Sequence, residues 1–367
     1  MDQTGQERAV NSFFAAENEK KESFFRKLGR VFAKLLILLV ETALLAALVL
    51  YAGMYVLAKG PSPAIRKIFV TSVRETSAIG FLADLFFSEE EIAEIEAVKE
   101  TREYAPTDTT LFTVGDDAPS ESGVPQPDEW GLVDEDGDGI IVEQIKGAGY
   151  SGYMMVVLDP SRVIVGCVPS SFGGRGFTVG DLAERFEAVA GINAGGFLDE
   201  GGMGSGAYPD SLVVFEGEIY FGARGTGRGF VGLDREHRLH VGIRSVQEIL
   251  DADIQYGVCF GPVLIRDGVM SDPAELASEV NPRSAVGQRE DGAILLLVVD
   301  GRQAASLGAT TQDLADIMAD YGAVNACNLD GGSSSLLWYD GAYLNLGPLM
   351  RRPRPVPDAF LVLKEGG

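Results

Sequence analysis

The sequence predicts an α+β fold in which a mixed central β-sheet is flanked by helices and is preceded by a transmembrane helix. Three observations support this prediction. An apolar block at residues 35–57, in which Glu41 is the only charged residue, is long enough to cross a bilayer. The second half of the chain alternates short apolar runs with glycine- and aspartate-rich turns, which is typical of strands. Residues 310–321 place apolar side chains at helical spacing behind a threonine cap.

Length and composition allow one large domain with appendages. The chain has 367 residues, of which 46% are hydrophobic, so it can bury a sizeable core. Its formal net charge is −24. Proteins that bind nucleic acid through the phosphates carry basic patches, so this charge argues against a nucleic-acid partner. The acidic balance fits an exported protein.

The sequence offers few residues for thiol or imidazole chemistry. Its three cysteines, Cys167, Cys259 and Cys327, lie in apolar runs, and this odd, sparse set predicts buried thiols rather than a disulfide framework. The two histidines, His237 and His240, leave little material for a histidine-based metal site or a Ser-His-Asp triad. Acid–base chemistry must therefore fall mainly on carboxylates.

Residues 35–57 are predicted to form a transmembrane signal anchor. As a helix this block would span about 34 Å, enough for a hydrocarbon core of about 30 Å. Basic residues cluster just before it, which places residues 1–34 in the cytoplasm and the rest of a single-pass cell-membrane protein outside. No Ala-x-Ala cleavage site follows. An uncleaved anchor is therefore preferred to a cleaved signal peptide, and both are preferred to a buried helix of a soluble protein.

Residues 58–128 are predicted to be a stalk and linker with helical pieces. Ser88 and Glu91 have the spacing of a helix capping box. Residues 106–128 are rich in proline, serine, aspartate and threonine, which is typical of a linker. One folded domain is then predicted over residues 129–367.

The start of this domain has the alternating aspartates that open a calcium-binding EF-hand loop. The segment is Asp-Glu-Asp-Gly-Asp-Gly at residues 134–139, but the twelfth position is Ile145 instead of the bidentate glutamate. The segment also runs directly into an apolar strand pattern. An acidic turn that leads into a strand is therefore favoured over a calcium site.

A second polar segment, at residues 323–335, is the strongest candidate for a ligand site. A short apolar run ends in Asn328 and Asp330, and two glycines and three serines follow at once. Glycines let the backbone approach a ligand closely, while amides and hydroxyls donate to it and one carboxylate faces it. A plain glycine-rich turn between two strands is the alternative interpretation.

Four motifs, taken in order, resemble the phosphodiester glycosidase family. They are Ile-Asn-Ala-Gly-Gly-Phe at 192–197, Asn-Pro-Arg-Ser at 281–284, Asp-Gly-Arg at 300–302 and Asn-Leu-Asp-Gly-Gly-Ser-Ser at 328–334. Each motif alone is a weak signal, whereas the ordered set is specific. The resemblance spans about residues 150–363 and implies the fold of that family.

Three positions depart from the family pattern. The usual triple glycine is Gly331-Gly332-Ser333 here, the usual Arg-Thr is Arg283-Ser284, and the first motif fits only with a shift of one residue. Because of this shift, the sequence does not decide which of Gly195 and Gly196 takes the place of each family glycine. None of these changes removes a charged or amide group, so activity is not excluded.

The resemblance implies hydrolysis of a sugar-1-phosphodiester in extracellular or cell-envelope glycans such as exopolysaccharide. The glycosidic C1–O bond breaks and a phosphomonoester leaves. The transition state carries positive charge at the sugar ring, so carboxylates are needed nearby. The phosphate leaving group carries negative charge, and arginines and backbone amides stabilise it.

These chemical needs assign roles to the motif residues. Asp330 is the first candidate for the catalytic carboxylate, Asp300 is its partner and Asp199 is third. Arg283 and Arg302 are the phosphate candidates. The other predicted substrate-binding residues are amides, glycines, hydroxyls and one further arginine: Asn193, Gly195, Gly196, Ser284, Asn328, Gly331, Gly332, Ser333, Ser334 and Arg354.

Two other functions stay open at this point. The first alternative is a non-catalytic binder of phosphorylated glycans on the same fold, and the second is a glycosidase of non-phosphorylated sugars. The sequence names no metal-ligand set, although the converging aspartates leave a divalent metal open as a cofactor. Asp330 is expected within a few ångströms of Asn193, Arg283 and Asp300, on one rim of one sheet.

Overall fold

The structure is a computed structural model that describes most of the chain from residue 127 onward and parts of the chain before it. The described residues are 32, 34–60, 66, 70, 81–92, 106–112, 127–199, 205–220, 222, 229–243, 245–276, 279–303, 305–346 and 352–366. The chain divides into two compact units, Met1–Phe69 and Val70–Gly367. Most of the predicted cytoplasmic segment, and much of the predicted stalk, lie outside the described residues.

The first unit contains one long helix, α1 (Lys34–Lys59), which is long and apolar enough to cross a membrane. No residue in the most apolar part of α1 is buried in the structure, unlike the core helix of a soluble protein. An N-terminal apolar helix of this kind indicates secretion or membrane anchoring.

In the second unit the structure bounds a short helix, α2 (Phe81–Asp84), and the regular structure of the later described residues is mainly strands. The predicted capping box is confirmed just after α2. The backbone N–H of Ser88 donates to the Glu91 carboxylate at 2.9 Å, and the backbone N–H of Glu91 donates to the Ser88 hydroxyl at 3.2 Å.

Three sheets make up most of the second unit. In spatial order, the first sheet contains β1 (Ile140–Gly147), β2 (Tyr150–Val157), β13 (Ile294–Val299), β12 (Arg283–Arg289), β14 (Ala323–Asn328), β10 (Val263–Arg266) and β11 (Val269–Met270). The second sheet contains β16 (Ala342–Tyr343), β15 (Leu337–Tyr339), β4 (Ala188–Asn193), β17 (Asp358–Leu363) and β3 (Val163–Cys167). The third sheet contains β6 (Glu218–Tyr220), β5 (Val213–Phe215), β9 (Ile254–Cys259), β7 (Phe230–Asp234) and β8 (Leu239–Ile243).

The prediction of one mixed sheet is wrong, because all strand pairings within these three sheets are antiparallel. The continuous apolar run of β13 is still an interior strand, between β2 and β12. Leu296 and Val298 point into the central core, while Leu295 and Leu297 pack in a second cluster on the opposite face. The continuous apolar run of β13 therefore indicates that both faces of the strand are buried, and it does not indicate whether the strand is parallel or antiparallel to its neighbours.

The inner faces of the three sheets enclose one shared hydrophobic core, to which every sheet contributes. Each sheet also has an outer cluster that contains one short helix. Helix α5 (Thr311–Asp320) covers the first sheet, α3 (Val179–Arg185) the second and α4 (Val246–Asp251) the third. The predicted flanking helices are therefore present, but the architecture is mostly antiparallel sheet with few helices.

Two helix predictions have different outcomes. Helix α5 begins after a Thr310 cap that forms a capping box with Asp313, and Gly322 just beyond its end has φ +79°, as the sequence predicts. The sequence has helical spacing over residues 179–190, which predicts a longer helix than the one that forms. Helix α3 ends at Arg185, Glu187 turns the chain with φ +55°, and β4 follows.

Candidate active site

Asn193, the last residue of β4, joins the first two sheets. Its side chain is fully buried. The Nδ2 group donates to the backbone carbonyl of Asp330 at 2.6 Å. The Oδ1 atom accepts from the Ser284 hydroxyl at 2.7 Å and from the backbone N–H of Leu336 at 3.3 Å. Asn193 therefore positions the Asp330 segment through bonds within the protein.

One peptide group lies between two aspartates at this junction. The carbonyl of Ala194 accepts from the backbone N–H of Asp330 at 2.9 Å. The N–H of Gly195, which belongs to the same peptide group, donates to Oδ1 of Asp358 at 2.6 Å. A Cβ atom on Gly195 would lie 3.0 and 3.3 Å from the two Asp358 carboxylate oxygens, so a side chain here would crowd this carboxylate and glycine favours the close approach.

Asp358 is a site residue that the sequence reasoning missed. It opens β17 and is fully buried, and its Oδ2 atom makes no hydrogen bond to the residues that the structure describes. Burial, together with the negative charge of Asp330, raises the pKa of Asp358 to about 7, although the Gly195 N–H acts in the opposite direction. Sheet pairing with β4 brings Asp358 to Gly195, and no local sequence pattern signals that pairing.

Arg302 lies against the glycines that follow Asp330. A Cβ atom on Gly332 would be 3.7 Å from Nη2 of Arg302, and Nη2 donates to Asn281 Oδ1 at 3.1 Å. Arg302 has a left-handed backbone with φ +56°, which is uncommon outside glycine and recurs at functional sites. The backbone N–H of Gly332 donates to the carbonyl of Pro282 at 2.9 Å. This bond connects the motif at 328–334 with the motif at 281–284.

Arg354 reaches the same segment from another direction. Its Nη1 donates to the Ser333 hydroxyl at 3.0 Å, and its guanidinium pairs with Asp199. The guanidinium carbon also lies 4.8 Å from the centre of the Phe197 ring. Two of the less favoured sequence candidates, Arg354 and Asp199, are thus partners, and Arg354 is mostly buried at the site.

Asp300 is connected to this segment through Asn345. The Nδ2 group of Asn345 donates to Oδ1 of Asp300 at 3.1 Å and to the carbonyl of Ser335 at 2.9 Å. Burial raises the pKa of Asp300, and the bond from Asn345 partly offsets this effect. Asn345 is a second residue that sequence reasoning missed, since it lies outside all four motifs.

Arg283 and Asn328 are buried and make bonds to the backbone. Arg283 donates through Nη2 to the carbonyl of Glu279 at 2.9 Å and through Nε to the carbonyl of Ala309 at 3.3 Å. Asn328 donates through Nδ2 to the carbonyl of Gly261 at 2.8 Å, next to a cis peptide bond. These contacts fix the loops that surround Asp330.

Several buried polar atoms at this end of the sheets make no hydrogen bond to the described part of the chain. Native proteins pair nearly all such atoms, so a local group of exceptions marks a place where ligand or water binds. They are Oδ1 of Asn328, the hydroxyls of Ser334 and Ser335, and Oδ2 of Asp358.

The predicted residues thus gather around one segment, Asp330 to Ser335, but they do not lie on one sheet. Asn193 belongs to the second sheet, whereas Arg283, Asn328 and the strand before Asp300 belong to the first. The prediction of one rim of one sheet is wrong because the site forms where ends of strands from different sheets meet. Gly196 adds the third sheet, since its N–H donates to the Cys259 carbonyl of β9 at 3.4 Å.

The aspartate-rich segment at 134–139 lies away from these contacts and forms a turn into β1. Asp134 accepts from the backbone N–H groups of Gly137 and Gly139, and Asp138 accepts from the backbone N–H of Ile140 and from the Tyr339 hydroxyl. Carboxylate oxygens of Asp134, Asp136 and Asp138 lie within 4.8 Å of one another. The bonds made by Asp134 and Asp138 account for these two carboxylates as turn-forming groups.

Comparisons with known proteins agree with the motifs. Residues 186–363 match the phosphodiester glycosidase family, NAGPA. The chain is 32% identical over 181 residues to the SPbeta prophage-derived uncharacterized protein YomE of Bacillus subtilis. This alignment covers 46% of this chain and 27% of YomE. It is 26% identical over 246 residues to N-acetylglucosamine-1-phosphodiester alpha-N-acetylglucosaminidase of Mus musculus, which covers 60% of this chain and 46% of that protein.

A solved structure supports the same fold. The catalytic domain of zebrafish N-acetylglucosamine-1-phosphodiester alpha-N-acetylglucosaminidase, auto-inhibited by its pro-peptide, superposes with a TM-score of 0.53 at 18% identity. The match covers 71% of this chain and 89% of that one. The chain spans less than half the length of the Bacillus and mouse relatives.

Proposed function

Because the chain belongs to the phosphodiester glycosidase family through residues 186–363, we propose that it hydrolyses a sugar-1-phosphodiester. Water adds to C1 of the sugar and the C1–O bond breaks. The electron pair of that bond stays on the phosphate oxygen, so the products are a free sugar and a phosphomonoester. We propose N-acetylglucosamine 1-phosphodiesters as the first substrates to test, because the mouse relative acts on that class by its name.

One observation carries this proposal. Two arginines lie at the segment that starts with Asp330: Arg302 is beside Gly332, and Arg354 donates a hydrogen bond to Ser333. In a sugar-1-phosphodiester the leaving group at the sugar carbon is an anionic phosphate, so hydrolysis needs a carboxylate near the sugar and cations near the phosphate. Both kinds of group meet on this one short segment.

We assign the sugar side of the reaction to the carboxylates. Asp330 stabilises the positive charge that develops at C1, and Asp300 assists it from the far end of the same segment. Asp199, which pairs with Arg354, orients that arginine and stays the third candidate.

We assign binding of the phosphate group to Arg302 and Arg354. The hydroxyls of Ser333 and Ser334 and the backbone around Gly331 and Gly332 assist them. Arginine suits this role because its planar guanidinium binds two phosphate oxygens at once. A good leaving group also lowers the need for a general acid at the phosphate oxygen.

The remaining predicted binding residues serve as supports in this proposal. Asn193, Ser284 and Asn328 bond to the protein around Asp330, and Arg283 braces two backbone carbonyls. Gly195 and Gly196 allow close packing of the turn after β4. Such supports hold catalytic groups in their reactive geometry.

We also propose that α1 is an uncleaved anchor, so the site faces extracellular or cell-envelope glycans.

The carboxylate role is tested by Asp330→Asn on the full chain, with the methyl phosphodiester of N-acetylglucosamine 1-phosphate as substrate. Loss of turnover supports the proposal, and unchanged turnover removes Asp330 from catalysis. A wild-type protein that binds this diester without turning it over is a glycan-phosphate binder. Faster turnover of an aryl N-acetylglucosaminide than of the diester indicates a glycosidase of non-phosphorylated sugars.

A further inference from the structure

We propose that Asp358 is a positioning residue that holds a proton beneath the site, and that loss of this proton weakens binding of the anionic phosphodiester. This inference rests on the proposed function for its substrate. It adds a residue outside all four motifs and a pH dependence to the site.

The surroundings of Asp358 favour its neutral form. The side chain is fully buried and, like Phe360 two residues later, it faces the central core. Its one hydrogen bond within the described residues comes from the Gly195 N–H. No arginine, lysine or histidine of the described residues forms an ion pair with it. A buried carboxylate without a cation is costly, so the carboxyl keeps its proton.

One titratable neighbour, Asp330, also favours the neutral form of Asp358. Asp330 lies across the Ala194–Gly195 peptide group, and its negative charge raises the pKa of Asp358. On the other side, β3 places Cys167 opposite Asp358 in the sheet, and burial with the Asp358 charge raises the pKa of that thiol. Neither group supplies a positive charge to a deprotonated Asp358.

The site therefore has two charge states near neutral pH. With Asp358 protonated, Asp330 faces the substrate with the support of Arg302 and Arg354. With Asp358 ionised, a second negative charge lies behind Asp330, and it repels an incoming phosphodiester. The pKa of about 7 places the change between these states near neutrality.

Asp358→Asn tests the idea, because asparagine keeps the shape and mimics the protonated carboxyl. KM for the methyl phosphodiester of N-acetylglucosamine 1-phosphate is measured with both full-length proteins in detergent from about pH 5 to about pH 9. We expect KM of the wild type to rise about tenfold through neutrality and KM of Asp358→Asn to stay flat. The same rise in both proteins would overturn the inference.

A second measurement needs no substrate. The midpoint of thermal unfolding of the wild type should fall relative to that of Asp358→Asn as pH rises toward about 7. In an Asp330→Asn background this fall should be complete at lower pH, because the neighbouring charge is gone. Parallel pH profiles of wild type and Asp358→Asn would show that Asp358 holds no extra proton and would overturn the inference. A wild type without turnover contradicts the proposed function instead, and the unfolding comparison still decides the protonation of Asp358.

Discussion

The side-chain amide of Asn193 donates a 2.6 Å hydrogen bond to the backbone carbonyl of Asp330, and the two residues are 137 positions apart in the chain. The second sheet thereby fixes an aspartate that follows a strand of the first. Both hydrogen-bonding ends of the Asn193 side chain are occupied by protein atoms. The position of Asp330 thus depends on a residue that needs no contact with substrate.

Replacing Asn193 by alanine should destabilise the protein by about 2–4 kcal/mol, because buried partners on Ser284, Leu336 and Asp330 lose their bonds. Ser284→Ala removes only one of these bonds and should cost about 1 kcal/mol. Equilibrium urea unfolding measures both changes. Equal stability of the two variants would show that Asn193 is not the joint between the sheets.

Asp330→Asn should lower turnover of the sugar phosphodiester by about a hundredfold or more, because the charge that stabilises C1 is lost. The backbone bonds of residue 330 remain, so the thermal midpoint should stay close to that of the wild type. Asp320→Asn, at the exposed end of α5, is the matched control and should keep full turnover. Full activity of Asp330→Asn would rule out the carboxylate role.

Arg302→Ala and Arg354→Ala should each raise KM for the phosphodiester by about 10- to 100-fold, since each removes a charged donor to phosphate. Arg352→Ala changes an exposed arginine two residues from Arg354 and serves as the control. Initial rates over a range of diester concentrations measure KM. If all three variants match the wild type, the phosphate site lies elsewhere.

Stability should fall as pH rises, through Asp358. In the folded protein the pKa of Asp358 is about 7, against an ordinary value of 3.8, so between these values the folded state binds the extra proton. Its stabilising effect is full below about pH 4 and is lost as pH rises to about 7. Relative to Asp358→Asn, the free energy of unfolding of the wild type should drop by up to about 4 kcal/mol. Urea unfolding at several pH values measures this difference, and no difference would place Asp358 in contact with water.

The full chain should remain with the membrane fraction after an alkaline wash when expressed in a bacterial host, because α1 anchors it. A chain that starts after Lys59 should appear in the soluble fraction. Protease added outside the cells should degrade the second unit and leave the N-terminus intact. A shortened, freely released product of the full chain would show instead that the apolar helix is a cleaved signal.

Sequence reasoning located the strands and the motifs, because apolar runs and glycine-rich turns are local signals. The continuous apolar run at residues 294–299 predicts an interior strand, and Thr310 predicts the cap of α5, and the structure confirms both. Sequence reasoning missed the antiparallel directions, since a strand buried on both faces looks the same in either case. It also placed the site on one sheet, because chain order does not reveal that β4 and β14 belong to different sheets.

Asp358 shows the same limit at the site. The sequence predicts an apolar strand at 359–363, and the aspartate just before it looks like an ordinary strand end. Its importance comes from register, because Ala359 pairs with Asn193 and brings the preceding carboxyl to Gly195. The roles of the motif residues remain predictions that the experiments above address.

The placement of β17 between β3 and β4 has a consequence for how the protein matures. Gly195 and Asp358 are 163 residues apart, and contacts between distant residues form slowly because long loops must close first. During synthesis, β4 cannot pair with β17 until residues 358–363 have been made. The contact between Gly195 and Asp358 therefore forms only after residues 358–363 have been synthesised, so a nascent chain that ends before them lacks this part of the candidate site.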